Sequence, residues 1–150
     1  MGLIFSLWVE TETKTQEKAV KSYFEGRSIL IGEKIYSVLV YDGGMVTVDG
    51  ISRIGINTQE DAIEMTLIGK EFFNLLRKAP KFRYALVGLE VDEWRDINEI
   101  RRSPRDILKV PGFVIDKELY RVIGSPGKME EFNSHYLWLP YEGEKWINKN

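Results

Sequence analysis

The hydrophobic pattern is most regular over residues 57–92, where it predicts one long amphipathic helix followed by one buried strand. Most of the apolar residues of 62–79 fall within an arc of roughly 140° when each residue advances by about 100°, although Ile63 and Leu67 fall on the opposite side and indicate a second contact surface. Thr58 is placed to cap the first turn of this helix, and Pro80 limits its continuation. Almost every residue of 83–91 is apolar, as expected of a strand that is covered on both faces. We therefore place this strand in the middle of a sheet.

Two shorter regular elements are predicted ahead of that segment. Residues 3–10 are predicted to form a strand, whose side chains alternate between two faces. One of these faces carries Leu3, Phe5, Leu7 and Val9. A short helix is predicted around residues 16–25, because Thr13 and Gln16 have the spacing of a capping box. Gly26 is placed to end this helix.

Glycines divide the next part of the chain into strands. We expect residues 28–41 to form a strand that is interrupted at Gly32 by a bulge or bend. The glycines of the Asp42-Gly43-Gly44 turn accept the positive φ angles of a tight hairpin, so the chain turns back into a strand over 45–48. A second Asp-Gly pair permits a further short strand over 51–56.

This order of elements predicts an α+β fold of the ferredoxin-like βαββαβ type, an antiparallel sheet with two helices on one face. We expect a single domain over residues 1–150, in which 1–92 form the core and 93–150 form an extension packed on it. The second face of the sheet needs a cover, because it is expected to present Ile4, Trp8, Tyr84 and Leu86. The aromatic C-terminal extension is the expected cover.

Composition narrows the classes of function. The chain of 150 residues has no cysteine, which excludes disulfides, thiolate nucleophiles and zinc–cysteine sites. No apolar run approaches the roughly 18 residues needed to span a bilayer, and the first residues lack a basic leader, so we expect a cytoplasmic protein and no membrane partner. A net charge of −2 with interspersed signs argues against nucleic acid as a partner.

His135 is the one histidine of the chain and hence the simplest candidate for acid–base catalysis near neutral pH. Paired with Glu90, Asp92 or Glu142 in a cleft between the sheet and the tail, it would support a hydrolase or transferase. The sequence contains no Gly-x-Ser-x-Gly elbow and no complete catalytic set. We therefore favour a non-enzymatic protein and keep the enzyme as the alternative hypothesis.

Two further polar groups suggest ligand chemistry. The carboxylates after the central strand could meet a divalent metal, and they are Glu90, Asp92, Glu93 and Asp96. Their spacing matches no calcium loop, and Asp96 is explained by helix capping, so we predict no metal and no cofactor. Arg101 and Arg105 belong to the densest basic stretch and could contact an anion. Nearby carboxylates dilute that charge, which favours a solvated, ion-paired surface.

The C-terminal tail has an unusual density of aromatic residues, including Tyr136, Trp138, Tyr141 and Trp146. These rings could line a groove for a ligand, because flat rings give a large contact area at low entropic cost. They could instead be the lid over the open sheet face, and we favour this interpretation because an uncovered apolar patch would be costly in a monomer. The leading hypothesis is a small interaction or ligand-binding module, whose partner is another protein, a second copy of the chain or a small molecule.

Overall fold

A computed structural model describes residues 4–91 and 94–147, which include eight strands and five helices. The strands are β1 (Phe5–Glu10), β2 (Ser28–Ile31), β3 (Lys34–Val40), β4 (Met45–Val48), β5 (Tyr84–Leu89), β6 (Val114–Asp116), β7 (Glu130–Glu131) and β8 (Tyr136–Trp138). The helices are α1 (Lys14–Phe24), α2 (Gln59–Leu76), α3 (Ile97–Arg102), a 3₁₀ helix (Pro104–Lys109) and α4 (Lys117–Val122). The predictions for Leu3, Asp92 and Glu93 lie outside the described residues.

All eight strands join one antiparallel sheet in the order β2-β3-β4-β1-β5-β6-β8-β7. The α+β class is confirmed, but the predicted ferredoxin-like βαββαβ fold with two helices is wrong. The prediction treats the chain after β5 as a cover on a complete sheet. In the structure this part of the chain extends the sheet by three strands and adds three helices. Short strands such as β7 and β8 contain too few residues to show a clear alternation of apolar and polar positions, so the sequence does not predict them as part of the sheet.

The first helical layer forms as the capping residues predict. The Thr13 hydroxyl accepts a hydrogen bond from the Gln16 N–H at 3.1 Å, and the Thr58 hydroxyl accepts one from the Asp61 N–H at 3.0 Å. Both contacts satisfy an amide at a helix start that has no partner within the helix. Both helices pack on the face of β1 and β5 that holds the expected apolar residues, including Phe5, Leu7, Val9, Ala85 and Val87.

A second core covers the opposite face of the same sheet. Tyr84 and Leu86 are buried there beneath residues 97–123, from which Ile100, Ile107, Phe113 and Ile123 pack against them. This segment supplies the cover that the sequence requires. The prediction that the aromatic tail covers this face is wrong for Tyr136, Trp138 and Tyr141, which pack in the first core. In β8 the side chains alternate, so Tyr136 and Trp138 point to the α2 side and Leu137 to the second core.

Two turns differ from their predicted form. Gly32 has a φ of 62° and forms a two-residue turn with Glu33, so residues 28–31 and 34–40 are paired strands instead of one bulged strand. A glycine at positive φ suits such a hairpin turn as well as a bulge, and its sequence neighbours do not distinguish them. The expected strand over 51–56 is also wrong, because the Ser52 hydroxyl donates to the Gly55 carbonyl at 2.8 Å and closes a local bend.

Candidate functional site

A cavity of about 380 Å³ opens between α1, the end of β1 and the β3–β4 hairpin. Its volume lies at the lower end of the range of about 300–1,000 Å³ that small-molecule sites occupy. The apolar part of its lining consists of Val9, Val20, Val40 and Val46. The polar part consists of Thr11, Lys14, Glu17, Lys18, Lys21, Tyr41 and Asp42. We call this space the α1–hairpin cavity.

The glycines of the hairpin determine the shape of this cavity. Gly43 and Gly44 have φ angles of 96° and 115°, which residues other than glycine rarely adopt. The Val9 N–H donates to the Gly44 carbonyl at 2.9 Å, and a Cβ atom at Gly44 would lie 2.3 Å from the Val9 carbonyl oxygen. The hairpin therefore approaches β1 so closely that only glycine fits, and this approach forms one wall of the cavity.

Helix geometry brings three lysines to the other wall. Lys14, Lys18 and Lys21 follow the i, i+4, i+7 spacing that places side chains on one side of a helix. Glu17 lies 3.9 Å from the Lys14 ammonium, measured from carboxylate oxygen to nitrogen. Among the described residues no ion pair includes Lys18. Its ammonium group is thus the free cation of the cavity lining in this part of the structure.

One ion pair crosses the mouth of the cavity from helix to hairpin. The Lys21 Nζ atom donates to Asp42 Oδ1 at 2.8 Å. This hydrogen bond, with the charge attraction that accompanies it, raises the pKa of Lys21 and lowers the pKa of Asp42. Both groups stay charged at neutral pH, although an exposed pair of this kind contributes little to stability. The main effect of the Lys21–Asp42 pair is to hold the hairpin against α1.

The sequence pattern does not reveal this cavity. Its lysines have the ordinary spacing of a solvated helix face, and its valines have the ordinary pattern of core strands. Only the long-range pairing of β1 with β4, which sets Leu7 opposite Val46, brings these two features together. The available signal was the Gly43-Gly44 pair, because two adjacent glycines permit an unusually close approach of two backbones.

His135 lies at a second cavity, of about 430 Å³, whose lining also includes Lys81, Asp116 and Asn133. Its side chain is exposed, and in the described part of the chain no ion pair joins it to a carboxylate. Asp116 Oδ1 already accepts hydrogen bonds from the Glu118 and Leu119 amides, at 2.9 and 3.0 Å, as the cap of α4.

The carboxylates that the enzyme hypothesis pairs with His135 lie elsewhere. Glu90 and Glu142 are exposed and do not line the cavity beside His135. Asp92 lies outside the described residues. The structure therefore places His135 in one cavity with Asp116, and not with Glu90 or Glu142, the two described carboxylates expected beside it.

The aromatic candidates occupy different environments. Tyr136 is buried, its hydroxyl donates to the Phe82 carbonyl at 3.1 Å and its ring stacks on Phe82 at 4.2 Å between centroids. Burial raises the pKa of Tyr136. Trp138 and Tyr141 are partly buried against Phe73 of α2, at centroid distances of 5.3 and 5.0 Å. Trp146 is 37% exposed. The first three rings are therefore committed to packing, and Trp146 keeps an accessible surface.

A strap formed by residues 139–147 runs from β8 back over α2. The Tyr141 hydroxyl donates to Glu144 Oε2 at 2.6 Å, and the Glu144 N–H donates to the Thr66 hydroxyl at 2.8 Å. Burial raises the pKa of Glu144, although the hydrogen bond from Tyr141 acts in the opposite direction. The same burial raises the pKa of Tyr141.

The basic candidates do not converge on one site. The Arg105 guanidinium donates to the Pro126 carbonyl at 2.9 Å and so closes a loop. Arg101 is exposed and lines a third cavity, of about 200 Å³, that Arg105 does not reach. Arg95 pairs with Asp106 at 3.0 Å, which shows that part of the basic stretch is engaged in ion pairs.

Two searches of the described residues give negative findings. Residues 4–91 and 94–147 contain no group of three or more histidine, aspartate or glutamate side chains arranged to hold a metal ion. Over the same ranges no helix combines the length and the apolar character needed to cross a membrane. Comparisons with protein-family models, with curated proteins and with solved structures find no match for this chain.

Proposed function

We propose that this protein is a ligand-binding module whose site is the α1–hairpin cavity, and that its ligand is a small amphipathic anion. The observation that carries the proposal is the combination, in one concave space, of a valine floor and three lysines. Ligand sites combine apolar surface with polar groups that orient the ligand, and this cavity contains both, with a larger share of polar residues than is usual.

The floor of the cavity favours the apolar part of such a ligand. Val9, Val20 and Val46 belong to the first core and are at most 3% exposed, so they fix the shape of the floor. Half-buried Val40 and the exposed ring of Tyr41 supply accessible apolar surface. Apolar area removed from water contributes roughly 25 cal/mol per Å² before the cost of association is subtracted. A short alkyl chain or a single ring suits a space of about 380 Å³.

The rim of the cavity favours the anionic group. Lys21 is paired with Asp42 at 2.8 Å, whereas Lys18 is in no ion pair of the described residues. A carboxylate or phosphate beside Lys18 would form a charge-assisted hydrogen bond, for which the net stabilisation is about 1.5–3 kcal/mol. Lys14 at the first turn of α1 would add a weaker, solvent-screened attraction.

The test is an amide-resolved NMR titration with decanoate as the anionic probe. We expect saturable shifts of the Gly43 and Gly44 amides, because they line the cavity. Lys18→Glu should weaken binding at least tenfold, about 1.4 kcal/mol, since it replaces the attraction by repulsion. The matched control is Lys70→Glu, an exposed lysine of α2 that is not part of the lining. Absent shifts, or equal effects of the two variants, would contradict the proposal.

The enzyme is the second candidate function, and the observation in its favour is that His135 and Asp116 line one concave space. Acid–base catalysis needs a titratable group within hydrogen-bond reach of the substrate, and His135 is exposed to that space. Hydrolysis of p-nitrophenyl acetate and p-nitrophenyl phosphate, measured with the wild type and His135→Gln, tests it. Turnover that is lost in the variant would favour the enzyme over the binding module.

Partners and location complete the proposal. A protein partner or a second copy is proposed because apolar side chains are exposed at several places, among them Leu30 and Ile35. A cytoplasmic location is likewise proposed, and fractionation of cells that express the chain would test it.

A further inference from the structure

The edge of the sheet at β2 presents backbone groups that pair with no other strand in residues 4–91 and 94–147. The Arg27 carbonyl accepts from the Val38 N–H at 3.0 Å, and Ile31 lies opposite Lys34 beside the two-residue turn. In an antiparallel pair every second residue bonds to the same neighbour. Residues 27, 29 and 31 therefore direct their backbone groups toward β3. Ser28 and Leu30 direct theirs away from the sheet, where β2 is the last strand.

This edge is also apolar on one side. Leu30 and Ile35 lie opposite each other in the β2–β3 register and are 63% and 68% exposed. Natural proteins usually protect such an edge with a lysine, a proline or a bulge in the edge strand. The strand itself, Ser28-Ile29-Leu30-Ile31, contains no lysine, proline or bulge. An exposed, apolar edge strand of this kind is a template for pairing with another strand.

Charges of opposite sign flank the strand. Arg27 precedes β2 and Glu33 lies in the turn that follows it, and both are exposed. The Arg27 guanidinium donates to the Tyr23 carbonyl and lies over the Tyr23 ring, at 4.2 Å from its centroid, and it keeps its positive charge in this contact. A two-fold axis through the middle of β2 would bring the Arg27 end of one copy to the Glu33 end of the other. The arrangement is self-complementary, because the same pair forms twice and Leu30 meets its symmetry equivalent near the axis.

We propose that β2 pairs antiparallel with β2 of a second copy and forms a two-fold symmetric dimer with one continuous sheet across the interface. The flanking charges favour a second copy over a strand of another protein, since the required complement is already present in this chain. The proposal is independent of the ligand site, because no residue of β2 lines the α1–hairpin cavity.

Sedimentation equilibrium over a range of concentrations measures the association. We expect a mass that rises from 17.4 kDa toward twice that value. Leu30→Lys should weaken dimerisation at least tenfold, because it places two ammonium groups near the axis. The control is Val122→Lys, which alters an exposed apolar residue of α4, 58% accessible, because α4 contacts β6, a strand far from β2 in the order of the sheet.

Charge reversal gives a second and sharper test. Arg27→Glu and Glu33→Arg should each weaken self-association, since each variant sets like charges together at both ends of the interface. An equimolar mixture of the two variants restores both opposite-charge pairs, so native mass spectrometry should show the mixed dimer in preference to either homodimer. The circular dichroism spectrum of each variant confirms that it is folded.

Three results would overturn the proposal. One is a folded wild type that stays monomeric up to about 1 mM, which would leave the edge to a strand of another protein. The second is a dimer that Leu30→Lys does not weaken. The third is a mixture of the charge-reversal variants that associates no better than each variant alone.

Discussion

Gly44 is the residue at which backbone geometry most strongly restricts the side chain. Its φ is 115°, and an added Cβ atom would lie 2.3 Å from the Val9 carbonyl oxygen, which is held in a strand. Backbone in such a region costs a non-glycine residue about 1–3 kcal/mol, and the contact with Val9 adds a steric cost. We predict that Gly44→Ala lowers the free energy of unfolding, measured by urea denaturation, by about 3 kcal/mol or more.

Gly26 provides the matched control for that substitution. Its φ is 79°, yet nothing lies within 4 Å of an added Cβ atom. Gly26→Ala should therefore report the backbone cost alone, about 1 kcal/mol. If the two variants are equally stable, the close approach of the hairpin to β1 is not what requires glycine at Gly44.

Residue-scale predictions from sequence succeeded where the cause is local. Thr13 and Thr58 cap helices because each hydroxyl meets an amide three residues ahead, which is visible in the sequence itself. The neighbours of His135 could not be identified in this way. Asp116 lies nineteen positions before it in the chain and reaches the same cavity only because β6 pairs with β8.

At the scale of elements, the strap over α2 contains one partly buried carboxyl group whose protonation affects stability. Glu144 accepts a hydrogen bond from Tyr141, and burial raises the pKa of Glu144 above its ordinary value near 4.5. The folded chain thus binds the proton more tightly than the unfolded chain. This contribution to the free energy of unfolding is complete at low pH and is lost as pH rises through the folded pKa. We predict that Glu144→Gln removes this pH dependence.

The measurement is urea denaturation at a series of pH values from acid to neutral. At neutral pH we expect Glu144→Gln to be at least as stable as the wild type, because a neutral amide still accepts from Tyr141 and carries no desolvated charge. Glu142→Gln, which alters an exposed glutamate two positions away, is the control and should leave the pH profile unchanged. A Glu144→Gln profile that parallels the wild type would show that this carboxyl group does not control docking of the strap.

Whether an element can be predicted also depends on how far apart in the sequence the residues that determine it lie. The strand β5 and the helix α2 are long and regular enough for their pattern to identify them, and both are confirmed. The three-residue strand β8 has an aromatic face and an apolar face, so its sequence does not show which face meets which core. That choice follows from its register with β6, in which Val114 is opposite Trp138.

At the scale of the whole molecule, one sheet separates two apolar cores. Leu7 and Val87 belong to the core under α1 and α2, while Tyr84 and Leu86 belong to the core under residues 97–123. The single-domain organisation over 1–150 remains a prediction, and this shared sheet is the physical reason to maintain it. Both cores pack on the same strands. If these strands separated on one side of the sheet, the core on the other side would lose its support as well.

We therefore predict one cooperative unfolding transition. Trp138 packs in the first core and Trp94 in the second, so two single-tryptophan variants, in which the other three of the four tryptophans are replaced by phenylalanine, report the two cores separately. Their urea midpoints should coincide with each other and with the loss of circular dichroism. Phe113→Leu, a substitution in the second core, should lower both midpoints equally, because it weakens the sheet that both cores share. A shift confined to the Trp94 signal would mean that residues 97–123 unfold as a separate unit.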